Sequence, residues 1–203
     1  MVLELLGESL AQRLARHRWP GRLEPAQAVR QAVLLGSQVA ATLAGLHAHG
    51  VIHRDLRPDN ILLAGQLERT YVIDLGLAKA PPRLRPKLMP ISTGDEDFIG
   101  TPEYMPPEQW HAPKRVTGAA DVYALGVVLY LLGQSALPFV AEKQSDLMYQ
   151  HCFSAPPELP EYLPAEVAEL IRQCLEKSPA RRPAAAAVAA RLTALLATLP
   201  PVS

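Results

Sequence analysis

The sequence predicts an α+β fold that is mainly helical, and three observations carry that prediction. Ala32, Leu35, Val39, Thr42 and Leu46 fall on one face at three- and four-residue steps, the period of a helix. Between the helical stretches lie only short apolar runs bounded by loop residues, the lengths of small strands. Of the 203 residues, 49% are hydrophobic and 20% charged, which excludes intrinsic disorder and lets one domain bury a sizeable core.

Taken in order, residues 26–49 are expected to form one long helix, closed by Gly50 just past its end. Val51-Ile52, Ile61-Leu62-Leu63 and Tyr71-Val72-Ile73 suit small strands. Residues 81–113 are proline-rich, with Gly94, Gly100 and the acidic run Asp95-Glu96-Asp97; loops of that length are usually functional or disordered. Residues 119–133 are apolar all round, so a central buried helix is expected. Pro156, Pro157, Pro160 and Pro164 mark a further loop. Val167, Leu170, Ile171, Cys174 and Leu175 repeat with helical spacing, which puts Cys174 on a buried face. A last helix is expected from Pro183, a residue suited to a first turn. No repeat and no second domain is expected.

Composition narrows the class. Twenty basic and 20 acidic residues give a net charge of zero, which supports neither nucleic acid nor an anionic membrane as the main partner. Two cysteines, Cys152 and Cys174, make no disulfide framework and fit a reducing compartment. The longest apolar run, Val122 to Gly133, is about half the ~20 residues a membrane span needs. Met1-Val2-Leu3-Glu4 has no basic leader pattern. A cytoplasmic protein is expected. His47, His49 and His111 lack metal-ligand spacing with either cysteine, so no zinc site is expected.

The chemistry concentrates at His53-Arg54-Asp55-Leu56-Arg57-Pro58-Asp59-Asn60, between two strand-like runs, and at Asp74-Leu75-Gly76 after a third. Asn60 and Asp74 offer hard oxygens suited to Mg²⁺ on a nucleotide. Asp55 can accept a hydroxyl proton, and Arg57 can neutralise charge on a transferring phosphoryl group. Either piece alone reads as an ordinary polar turn; both in order point to a site.

These two segments resemble the protein kinase family. So do Gly100-Thr101-Pro102-Glu103-Tyr104-Met105-Pro106-Pro107-Glu108, Asp121-Val122-Tyr123-Ala124-Leu125-Gly126 and Ser178-Pro179-Ala180-Arg181-Arg182-Pro183. The family usually has alanine at Pro106 and often tryptophan at Tyr123. Pro58 after Arg57 resembles the serine/threonine subgroup, in a bacterial style. The resemblance implies a kinase-like C-lobe with short β hairpins at the catalytic and metal-binding loops. Its parts would be a hinge at 1–8, a catalytic loop at 53–60, an activation segment at 74–108 and a central helix at 119–133. It implies phosphoryl transfer from ATP with Mg²⁺ to serine or threonine hydroxyls of protein substrates. The alternative is a non-catalytic, pseudokinase-like interaction or scaffold module.

Carried over residue by residue, Asp55 would orient and deprotonate the hydroxyl, Asn60 and Asp74 would hold Mg²⁺, and Thr101 would line the docking site. Arg57 stands where the subgroup has lysine, keeping the charge but not the compact ammonium. Leu62 would lie under the adenine, with the backbone at Glu4 and Leu6 contacting it. His53 and Leu75 would stack in the family's hydrophobic spine, and Arg182 would pair with Glu108. Asp121 would open the central helix. Asp59 either meets a basic residue of a peptide substrate or is a plain surface charge.

Against the family pattern, Met1 already lies at the end of the strand leading into the hinge, and the 12 glycines are scattered. A Gly-rich loop, the strand lysine and its glutamate partner are not among these residues. Each such lost electrostatic group costs factors of ~10²–10³, so negligible activity is expected of this chain alone. A start set too late, a truncated gene, or a scaffold role with a partner over the hinge face would each account for it. In regulation, Arg54 resembles the arginine that binds an activation-segment phosphate. Asp97 stands at the usual phosphothreonine position, with Ser92 and Thr93 as further acceptors. The plainer reading of the acidic run is a solvated surface.

Overall fold

The computed structural model describes residues 7–17, 24–64, 69–75 and 101–200. The regular elements are β1 (Glu8–Ser9), α1 (Leu10–His17), α2 (Pro25–Ala48), β2 (Ile61–Ala64), β3 (Arg69–Val72), α3 (Pro107–His111), α4 (Ala119–Gln134), α5 (Gln144–Phe153), α6 (Ala165–Cys174) and α7 (Ala185–Thr198). The strands form one antiparallel sheet in the order β1-β2-β3. Leu63 faces Glu8 on one side, and Leu62 faces Tyr71 on the other. The mainly helical fold with a small sheet follows the expectation from sequence.

Local chemistry sets the boundaries. Glu24 and Gln27 cap the start of α2 reciprocally, with Pro25 in its first turn. At its other end Gly50 takes φ 73°, a left-handed conformation that glycine adopts without penalty. There Gly50 N–H donates to the His47 carbonyl and Val51 N–H to the Leu46 carbonyl, closing the helix as a Schellman motif. At the α7 C-terminus, Arg30 of α2 donates to the carbonyls of Leu196 and Leu199, each at 2.9 Å, two acceptors the helix itself cannot satisfy.

The core forms around α4, which is buried on nearly all sides. Val33, Leu35, Val39 and Leu43 of α2 meet Leu125, Val128 and Leu129 of α4, Leu170 and Cys174 of α6, and Val188 and Leu192 of α7. Two close helix crossings depend on glycine. A Cβ at Gly36 would stand 2.5 Å from Leu129 Cδ2, and one at Gly126 2.7 Å from Cys174 Cβ. Cys174 is 0% exposed, and burial pushes its thiol up to about 12, so it packs as an inert small hydrophobe. Among the described residues no helix is long and apolar enough to cross a membrane.

The structure corrects three expectations. Val51-Ile52 is not a strand: Val51 N–H is spent on closing α2, and Ile52 makes an isolated bridge. The last helix begins at Ala185, because Ala184 is extended at ψ 149°; Pro183 precedes the turn it was expected to open. Within 101–113 the chain is not loop throughout, since it turns at Pro102–Tyr104 and forms α3. Two further helices, α1 and α5, carry no prediction from sequence. Residues 1–6 and 76–100, with Glu4, Leu6, Ser92, Thr93 and Asp97, lie outside the described residues.

Candidate active site

Residues 53–60 leave the α2 cap and run into β2. His53 is 0% exposed. Its Nε2 lies 2.9 Å from the Ile73 carbonyl, and its Nδ1 lies 3.3 Å from the Asp55 amide. The amide can only donate, so Nδ1 accepts and the hydrogen sits on Nε2. His53 thereby ties the loop to the chain just before Asp74.

Arg54 has φ 71°, a left-handed conformation costing about 1–3 kcal/mol in a residue with a side chain. Asp121, in the first turn of α4 and 1% exposed, holds that conformation in place. Its Oδ1 accepts Arg54 N–H at 2.8 Å and its Oδ2 accepts His53 N–H at 2.9 Å. His47 Nε2 reaches the same Oδ2 at 2.7 Å, and Gln109 Nε2 donates to the Arg54 carbonyl at 3.2 Å. A carboxylate at a helix N-terminus is itself favoured. The strained residue is therefore fixed from both of its peptide groups.

Asp55 is held at both oxygens. Thr101 Oγ1 donates to Oδ1 at 3.1 Å, and Asn60 Nδ2 donates to Oδ2 at 3.2 Å and to the Asp55 carbonyl at 2.8 Å. Arg57 NH1 donates to Thr101 Oγ1 at 2.7 Å. Its NH2 pairs with Asp59 Oδ2 at 2.8 Å. Because Asn60 Nδ2 faces Asp55, the amide's other atom, a hard oxygen, points away from it. Ile73 N–H donates to the Asn60 carbonyl at 2.9 Å, which brings Asp74, at φ 64°, to the same end of the β2–β3 hairpin. Leu62 is 9% exposed on β2, while Leu75 stands 43% exposed.

Behind Thr101 lies a second polar cluster. Arg182 forms a two-pronged bridge to Glu108, NH1 to Oε1 at 2.6 Å and NH2 to Oε2 at 2.8 Å. Its guanidinium carbon lies 4.8 Å from the centre of the Tyr123 ring. The Tyr123 hydroxyl meets His151 Nδ1 at 2.9 Å; burial raises the pKa of the phenol, so it stays protonated and donates. Lys177 Nζ donates to the His151 carbonyl at 2.8 Å and sits 4.3 Å from the Phe139 ring centre. Burial draws the Lys177 pKa down to about 8.

His151 gives this cluster a pH dependence. Burial first, and the Lys177 cation second, lower its pKa from 6.5 to about 3 against an opposing pull from the Glu103 backbone. The unfolded chain takes up this proton near pH 6.5 and the folded chain only near 3. The stability is therefore complete above 6.5 and is lost as the pH falls toward 3, by at most about 1.4 kcal/mol per unit. Between pH 7 and pH 5, urea denaturation of the wild type is expected to show a loss about 2 kcal/mol larger than in His151→Gln. Equal losses in the two proteins would contradict it.

Of the residues singled out from sequence, the structure brings Asp55, Arg57, Asn60 and Thr101 into one hydrogen-bonded group. It joins His53, Arg54 and Asp121 in another, and Glu108 with Arg182 in a third. Sequence reasoning missed His47, Gln109, His151 and Lys177. For His47 a signal existed: it is the basic residue in the last turn of α2, shortly before the loop at 53–60.

The model of the protein kinase domain matches residues 1–192, and the chain belongs to the protein kinase family. Serine/threonine-protein kinase PkaB of Streptomyces coelicolor is 37% identical over 208 residues, 98% of this chain and 46% of that protein. Serine/threonine-protein kinase PkaA of the same organism is 35% identical over 187 residues, 91% of this chain and 32% of the relative. Serine/threonine-protein kinase PknA of Corynebacterium glutamicum is 34% identical over 183 residues, 90% and 36% of the two chains. The chain thus spans between about a third and a half of the length of these relatives.

Proposed function

We propose that this chain carries the transfer site of a serine/threonine protein kinase, moving the terminal phosphoryl group of Mg·ATP to a hydroxyl of a protein substrate. The observation that carries the reading is the Asp55 carboxylate, fixed at Oδ1 by Thr101 and at Oδ2 by Asn60. A carboxylate so oriented can receive a hydroxyl proton without reorganising. Arg57 places its positive charge beside that acceptor, where negative charge develops on the transferring group.

The donor set fits a magnesium nucleotide. Among the described residues no group of three or more His, Cys, Asp or Glu could hold a metal ion, and Asn60 and Asp74 supply two hard oxygens. Two protein oxygens with the balance from phosphates is the ordinary arrangement for Mg²⁺. When bound, the ion neutralises the phosphate charge. Leu62 on β2 would lie under the base. Two free, buried cysteines support a cytoplasmic setting.

Because no Gly-rich phosphate loop or strand lysine stands within these 203 residues, transfer by them alone is expected to be slow. The test is transfer of labelled phosphate from Mg·ATP to peptides differing only in a serine, threonine or tyrosine acceptor. Label on serine and threonine that disappears with EDTA supports the reading. Label on tyrosine, or label on serine and threonine that survives EDTA, overturns it.

A further inference from the structure

We propose that Asp59 is a positioning residue of the transfer site: it anchors Arg57, which in turn holds Thr101 against the Asp55 carboxylate. The proposal rests on the phosphoryl-transfer reading above and assigns Asp59 to the site itself, not to the binding of a basic substrate side chain.

Hydrogen-bond polarity directs the chain of contacts. Thr101 has one hydroxyl hydrogen, and it goes to Asp55 Oδ1 at 3.1 Å. Its oxygen must then accept, and it accepts from Arg57 NH1 at 2.7 Å. The guanidinium is a rigid fork, and its other prong, NH2, lies 2.8 Å from Asp59 Oδ2. Fixing one prong therefore fixes the other. A lysine ammonium at this position offers a single nitrogen on a flexible stem.

The anchor is needed because Arg57 and Thr101 lie 44 residues apart in sequence and the Arg57 side chain is 32% exposed. A long cation open to water samples many rotamers unless both ends are held. Asp59 is itself well placed to hold it. It lies in the single turn Pro58–Asn60, where Pro58 restricts the backbone and Asn60 N–H donates to the Arg57 carbonyl. That same turn carries Asn60, which holds Asp55 Oδ2 directly. One three-residue turn thus governs both carboxylate oxygens: Oδ2 through Asn60, and Oδ1 through Asp59, Arg57 and Thr101.

The test compares wild type, Asp59→Ala and Asp59→Glu as full chains, in steady-state transfer to serine peptides with and without arginine or lysine flanking the acceptor. An exposed pair limits the effect to about fivefold. Asp59→Ala is expected to lower kcat about three- to fivefold on both peptide sets, with little change in KM, and Asp59→Glu to recover most of it. In parallel, ¹⁵N spectra of the arginine side chains, with the Arg57 signal assigned through Arg57→Lys, are expected to show hindered guanidinium rotation that Asp59→Ala releases. A loss confined to peptides with a basic flanking residue, carried by KM, assigns Asp59 to substrate binding and overturns the proposal. So does an active wild type whose Asp59→Ala variant keeps its rate and its hindered guanidinium. Where wild-type transfer is too slow to read, the spectra decide the anchor alone: a guanidinium that rotates freely in the wild type, or stays hindered in Asp59→Ala, overturns it.

Discussion

Arg182→Ala is expected to lower the unfolding free energy by about 3–5 kcal/mol, the cost of leaving one member of a buried ion pair without its partner. Arg182 is fully engaged. Nε donates to the Glu176 carbonyl, NH1 to Glu108 Oε1 and the Ala119 carbonyl, and NH2 to Glu108 Oε2 and the Lys177 carbonyl. All the N–H donors of the guanidinium are accounted for, and its side chain is 0% exposed. Alanine leaves the Glu108 side chain, 15% exposed, with its charge uncompensated. It also removes the cation from the face of Tyr123. Arg182→Lys should recover only part of the loss, since three donors on one nitrogen cannot reproduce the fork. Thermal and urea unfolding check this, with a drop of about 10 °C in Tm expected for a domain of this size. A loss under about 1 kcal/mol would mean that water replaces the guanidinium, and the bridge would then be no keystone of the segment behind Thr101.

Asp55→Asn is expected to lower phosphoryl transfer by about 10²–10⁴-fold while leaving the unfolding midpoint nearly unchanged. The amide is close to the carboxylate in shape, and Asn60 Nδ2 keeps its stronger contact, 2.8 Å to the residue 55 carbonyl. What is lost is an acceptor basic enough to take a proton. An amide nitrogen would also confront either the Thr101 hydroxyl or Asn60 Nδ2, both donors to the present carboxylate. Paired kinetic and unfolding measurements separate chemistry from folding. A transfer rate within tenfold of wild type would remove Asp55 from the role of base.

The central helix was legible because α4 is apolar on every side, and only the middle of a domain accommodates such a helix. The pairing of Glu108 with Arg182 was legible only through resemblance, since nothing in the spacing of two charges distant in sequence announces a bridge. Helix α1 escaped notice because its core contacts come from just Leu10 and Leu14, and its clearest signal is polar. Ser9 and Gln12 cap each other's amides at 3.2 and 3.0 Å, a box readable as Ser-x-x-Gln.

Helix α5 was hidden for a different reason: it reverses the usual pattern. His151 is buried at 0% exposure while Tyr149 and Phe153 stand 61% and 66% exposed. A periodicity argument that sends aromatics inward and histidines outward fails on such a stretch. His151 is inside because Tyr123 offers it a hydroxyl and Phe139 packs edge-on against it at 4.9 Å. Both partners come from other elements, so no local window contains the reason.

Asp121 couples the loop at 53–60 to the core. One carboxylate at the start of α4 receives the backbone of His53 and Arg54 together with the His47 ring. The left-handed turn at Arg54 is a strained conformation for a residue with a side chain. Asp121 holds it at the amide and Gln109 at the carbonyl, and Asp121 belongs to a helix in the centre of the core. The loop at 53–60 is thereby tied, through one carboxylate, to a helix buried on nearly all sides, so loss of the first turn of α4 would release both of its amides together.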